Sequence, residues 1–202
     1  MSKVEDTYKT KPGKITGVAS YDGKSGIKLK SDALITIEGP LVPINTFVRT
    51  LCFNFAFQYT EPLGDTYVLF SRGPKEKEYS IFVELNKERK TVIKVNYLTI
   101  AGTISNREFV DNKTVSAGEF HELSACFTQA IDFMSSAMIF LDGVANFFEV
   151  KKSVFFNWDE NASSNNILAS GQGSAGFVNL YLFSVIEGAG GFIFSQENHS
   201  EV

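Results

Sequence analysis

The chain has 202 residues, of which 44% are hydrophobic and 21% charged, and its formal net charge is −4. This composition excludes global disorder, a collagen, a coiled coil and a disulfide-dense scaffold. The negative charge removes any whole-surface attraction for nucleic acid, and no apolar run reaches the roughly 20 residues that a membrane-spanning helix needs.

Residues 1–14, MSKVEDTYKTKPGK, are polar and lack the apolar stretch of a secretory signal. They are expected to form a flexible N-terminal segment. Period-two alternation then takes over. It predicts strands over 26–30 (GIKLK), 33–38 (ALITIE) and 46–58 (TFVRTLCFNFAFQ). In the third, Leu51, Phe53, Phe55 and Phe57 share one face, while Cys52, Asn54, Ala56 and Gln58 share the other. One bulky apolar face and one smaller, more polar face suit a sheet packed on one side. Strands follow over 66–71 and 78–85, separated by the turn chemistry of Arg72, Gly73, Pro74 and Lys75. Further strands are expected over 91–100, 119–129, 136–141 and 145–151, with a short turn over 129–136. A brief apolar patch at 167–169 interrupts a long soft segment, and strands over 177–186 and 191–194 close the series. No segment of 12 residues shows a helical apolar stripe without better strand alternation. The expectation is a single all-β domain over 15–195, an antiparallel β-sandwich, followed by a flexible tail over 196–202.

Cys52 and Cys126 each lie inside an apolar strand-like run. The simpler reading is two buried thiols, because an unpaired cysteine behaves as a small hydrophobe. The alternative is one disulfide, which requires neighbouring strands with Cα atoms within about 7 Å. Glycosylation triplets begin at Asn112, Asn161 and Asn198, which is weak evidence of secretion.

The stretch from Val115 to Val150 carries the most information. A strand opens after Gly118 with Phe120, His121 and Leu123, and a second ends in Phe140, Leu141, Asp142 and Gly143. The last two residues suit a two-residue hairpin turn, which needs positive φ values. This order resembles the laminin-G-like and pentraxin-like group of the concanavalin A-like jelly-roll superfamily. There a G-x-W-H-x-L strand precedes a Y-x-D-G hairpin; Phe120 stands in the place of the tryptophan. Residues 26–37 resemble the opening strands, 50–57 the F-T-x-S-F-W-x strand, and 176–185 a closing strand without its glycine and aspartate. The resemblance implies a jelly roll. Its members are mostly sugar-binding or protein-binding modules of larger extracellular proteins, with some glycoside hydrolases and some receptor-binding or spacer domains of toxins.

A retaining glycosidase of that superfamily carries an E-x-D-x-x-E strand that sets two carboxylates about 5 Å apart; this sequence has none. Nor does it have a G-x-S-x-G elbow, a phosphate-binding loop or an H-E-x-x-H helix. His121 reads as structural, His199 lies in the tail, and residues 171–176 read as a turn rather than a dinucleotide loop. No catalytic site, resident metal or cofactor is expected. Calcium needs six to eight oxygen ligands, and its sparse candidates are Glu78, Asp159, Glu160 and Asn161.

Sugar recognition needs an aromatic ring beside amides and carboxylates. Asn157, Trp158, Asp159 and Asn161 supply that set in the longest loop and are the candidate ligand-binding residues. Trp158 can instead fold back to cap the core. Phe147-Phe148 and Phe155-Phe156 place aromatics on both faces of their strands, which either creates a partner-binding patch or is buried by covering loops. The expected function is non-catalytic recognition of a glycan or a protein surface, within a larger surface or secreted protein. The alternatives are a structural spacer or assembly domain with no small-molecule ligand and, third, a divergent glycoside hydrolase. As the sole tryptophan, Trp158 gives a direct test. The ligand-loop reading expects red-shifted emission that acrylamide quenches strongly; blue-shifted, protected emission makes it a core cap.

Overall fold

The computed structural model describes residues 3–4, 13–21, 26–30, 33–38, 49–72, 80–98, 101–129, 135–150, 165–171 and 176–188. These hold fifteen strands and no helix. In chain order they are β1 (Lys3–Val4), β2 (Gly13–Thr16), β3 (Ala19–Tyr21), β4 (Ile27–Lys30), β5 (Leu34–Glu38), β6 (Arg49–Thr60), β7 (Tyr67–Arg72), β8 (Ile81–Leu85), β9 (Lys90–Leu98), β10 (Ile104–Thr114), β11 (Phe120–Gln129), β12 (Ser135–Leu141), β13 (Val144–Val150), β14 (Asn165–Gly171) and β15 (Phe177–Gly188). One sheet has eight strands in the order β1-β2-β5-β14-β7-β8-β9-β10, and the other seven, β13-β12-β11-β6-β15-β4-β3. Every pairing is antiparallel. The expected all-β sandwich is therefore observed.

Alternation explains the core. Leu51, Phe53, Phe55, Phe57 and Tyr59 descend one face of β6 and are buried. Tyr67, Phe70, Ile81, Val83, Leu85, Ile93 and Val95 belong to the same buried cluster from the eight-stranded sheet. The rings of Phe53 and Phe70 stack at 4.5 Å between centroids, and Phe183 packs on Phe70 at 5.6 Å and on Phe55 at 5.3 Å. Burying each such ring contributes roughly 1.5–3 kcal/mol.

Alternation also explains what was missed. β10 was not expected as a strand, because along ISNREFVDNKT only Phe109 and Asp111 are buried. It is an edge strand, paired with β9 alone, so most of its side chains meet water. The expected strand over 191–194, the turn residues 130–134 and the Phe155-Phe156 pair lie outside the described residues. In β13, Phe148 packs on Phe109 at 5.7 Å while Phe147 is exposed, so the two rings do take opposite faces.

The expectation of two unpaired thiols is overturned: Cys52 and Cys126 form a disulfide. The register sets them directly opposite on β6 and β11, with Cα atoms 4.1 Å apart, on the sheet face away from the core. An apolar run shows that a cysteine lies in a strand but not which strand lies beside it. The bond closes a long loop, with a sequence separation of 74. Replacing both residues (Cys52→Ser with Cys126→Ser) is expected to lower unfolding stability by about 2–4 kcal/mol, read as a lower denaturant midpoint.

Candidate functional site

The candidate ligand residues Asn157, Trp158, Asp159 and Asn161 lie outside the described residues, as do the calcium candidates Glu78 and Glu160. Among the described residues, no group of three or more His, Cys, Asp or Glu side chains is placed to hold a metal.

His121 has a partner on each ring nitrogen. It lies buried beside Phe57, its pairing partner on β6, with ring centroids 5.8 Å apart. Nδ1 stands 2.8 Å from Asp142 Oδ2, and Nε2 stands 2.8 Å from the Ser116 carbonyl oxygen. These partners fix the ring in place. Asp142 is the first residue of the tight β12–β13 turn, at φ 48, and Gly143 follows at φ 81. Its Oδ1 accepts the Glu122 N–H at 2.9 Å, and Lys113 Nζ lies 3.4 Å from Oδ2. Burial alone would raise the Asp142 carboxyl, but the hydrogen bonds from His121 and the Glu122 amide outweigh it and hold the group below its ordinary value.

A second clamp lies nearby in the chain. Arg89, at φ 58, grips the Glu61 carboxylate with both Nε and Nη2 and donates from Nη1 to the Gly64 carbonyl at 2.8 Å. The Arg89 hydrogen bond is the main reason the Glu61 carboxyl lies below its usual range. Arg89 also accepts the Val115 N–H through its carbonyl at 2.8 Å. The Tyr59 hydroxyl donates to the Val115 carbonyl at 2.8 Å, and Gly118 N–H donates to the Tyr59 carbonyl at 2.8 Å. Together these contacts fix the chain that leads into Phe120.

Phe120 opens β11 on the outer face of the seven-stranded sheet. The register aligns Phe120, Gln58, Asn179, Lys28 and Ser20 in one row across β11, β6, β15, β4 and β3. A bulge in β15 between Leu180 and Leu182 leaves Tyr181 as an extra residue. Such bulges re-aim a side chain. The Tyr181 ring meets that of Phe120 at 5.4 Å between centroids, passing over β6. Tyr181 Oη donates to Gln58 Oε1 at 3.2 Å, and Gln58 Nε2 donates to the Gly118 carbonyl. Gly26 makes room for the bulge: at φ +81, a Cβ there would stand 2.3 Å from the Leu180 carbonyl oxygen.

The result is an apolar, aromatic surface on a rigid base. Phe120 is 53% exposed, Leu182 53%, Ile186 58% and Tyr181 36%. Between them the sheet is locked by polar contacts. Ser124 Oγ donates to Asn54 Oδ1 at 2.6 Å, and Asn54 Nδ2 donates to Ser184 Oγ at 3.1 Å. Further along the row, Lys28 Nζ sits 4.4 Å over the Phe177 ring. Phase gave a signal for Phe120: if His121, Leu123 and Ala125 face the core, Phe120 cannot. For Tyr181 there was none, because a bulge breaks the alternation that reports facing.

No family model and no curated protein matches the sequence. Solved structures do match. The chain is similar to the binding domain of botulinum neurotoxin serotype G, with a TM-score of 0.57 and 13% identity over 86% of this chain and 43% of that one. It is also similar to the binding domain of botulinum neurotoxin DC in complex with SialylT (TM-score 0.57, 11% identity, 91% of this chain and 46% of that one). The same domain in complex with rat synaptotagmin II gives a TM-score of 0.56 at 10% identity, over 91% of this chain and 47% of that one. The chain therefore spans less than half the length of these structures, and the likeness is one of fold.

Asp142 has an ordinary carboxyl value of 3.8 and titrates lower in the folded chain. Its contribution is therefore complete above about pH 4 and is lost as pH falls through the folded value. Asp142→Asn is expected to lower the melting temperature near neutral pH and to flatten the acid limb of the stability profile, read by circular dichroism.

Proposed function

We propose that the chain is a non-catalytic recognition module that binds a glycan or a protein surface through the outer face of its seven-stranded sheet. One observation carries this reading: Phe120, Tyr181 and Leu182 stand exposed together on a hydrogen-bonded sheet, rather than singly on mobile loops. Contiguous exposed apolar surface of this kind marks interaction sites. The two DC complexes, one with SialylT and one with rat synaptotagmin II, support a partner of either kind.

Residues 15–195 are read as the body of one recognition domain of the laminin-G-like, concanavalin A-like type, supported by the two antiparallel sheets, the eight-stranded one of which also takes in β1 and residues 13–14 of β2. Binding needs no cofactor and involves neither nucleic acid nor membrane insertion. Asn157, Trp158, Asp159 and Asn161 are proposed as a second contact from the longest loop. A place in a larger surface or secreted protein is supported by the disulfide, since such bonds persist in oxidising compartments.

Glycan arrays and cell-surface binding test the reading, each with and without a chelator. Phe120→Ala and Tyr181→Ala are each expected to weaken binding at least tenfold while leaving the melting temperature within a few degrees. Trp158→Ala isolates the loop contribution. Wild-type binding by both sheet-face variants would overturn the assignment of this face and favour a spacer domain.

A further inference from the structure

The row across the outer face also narrows the ligand, and this step rests on the recognition reading above. We infer that the partner is an oligosaccharide bearing a negatively charged group. At one end Phe120 and Tyr181 offer an aromatic surface for the apolar face of a sugar ring. Gln58 does not read hydroxyls; its amide is spent holding Tyr181 and Gly118. The amide that remains in the row is Asn179, half-buried between Gln58 and Lys28, with a donor and an acceptor together. Lys28 follows, exposed, with Nζ over the Phe177 ring and in no ion pair among the described residues. Lys30 lies two residues on along the same face, opposite Phe177. Neighbouring strands lie about 4.8 Å apart, so Phe120 and Lys28, three strands distant, are separated by about 14 Å. That exceeds one sugar ring.

Charge sets the direction. Glu122 lies on the same outer face, two residues from Phe120 and on the other side of β6 from the lysines. An anionic group therefore belongs over β4, with a neutral ring over Phe120. A peptide fits less well. Extended peptides gain affinity by pairing with a sheet edge, whereas this row crosses strands already paired to one another.

Calorimetry with lactose, sialyllactose and sulfated lactose at two salt concentrations tests this, with polyglutamate as the peptide arm. Sialyllactose or sulfated lactose is expected to bind at least tenfold more tightly than lactose, and more weakly at high salt. Lys28→Gln is expected to remove about a tenfold preference, and Lys28→Arg to keep it. Equal binding of lactose and the acidic sugars, lost in Phe120→Ala, would overturn the charge assignment and leave the recognition reading standing. Binding of polyglutamate alone would overturn the saccharide and keep the face. Binding of none of these, together with no effect of Phe120→Ala on cell-surface binding, would overturn both.

Discussion

The register between β6 and β11 is the constraint on which the rest depends. It runs unbroken from Phe120 opposite Gln58 to Gln129 opposite Arg49. Side chains alternate faces with a period of two, so a slip of one residue would reverse every one of them. Such a slip would turn His121 towards water and Phe120 into the core. It would also part Cys52 from Cys126. The buried phenylalanines of β6 oppose it from the core side, and the disulfide opposes it from the other. One alignment thus sets the core, the covalent link and the exposed aromatic end of the candidate face.

Two local devices turn this register into a defined surface. The first is the His121–Asp142 pair. Its bonds tie the β12–β13 turn and the Ser116 carbonyl to the start of β11, so Phe120 emerges from a braced segment. The second is the β15 bulge beside Gly26, which swings Tyr181 over β6 to meet Phe120. Ala56 assists by being small: it lies between Glu122 and Leu182 on the face the two rings cross. An aromatic pair held this way loses little freedom on binding, which favours affinity through preorganisation.

The fold was legible where burial follows alternation. Strands with one apolar face, β6, β11 and β15 above all, declare themselves in the sequence. The Asp142-Gly143 turn did so through residue chemistry, since both residues hold positive φ. β10 did not, because an edge strand needs few apolar residues. The site was less legible, since it arises from pairings between segments far apart in the chain. Asn179 meets Gln58 and Lys28 only once β15 lies between β6 and β4. Sequence reasoning favoured the loop around Trp158 because its ring, amides and carboxylate are consecutive. The sheet face assembles its ring, amide and ammonium groups from four separate strands.

The titratable groups His121, Asp142 and Glu61 have bracing partners. His121 has both nitrogens bonded and lies on the core side of β11, opposite to Phe120. Asp142 is held ionised by its three donors, and Glu61 by Arg89. These charges brace turns. What the outer face presents is apolar area, the Asn179 amide, the Lys28 ammonium and the Glu122 carboxylate. On the proposed recognition reading, selectivity follows from the order in which the row sets ring, amide and ammonium.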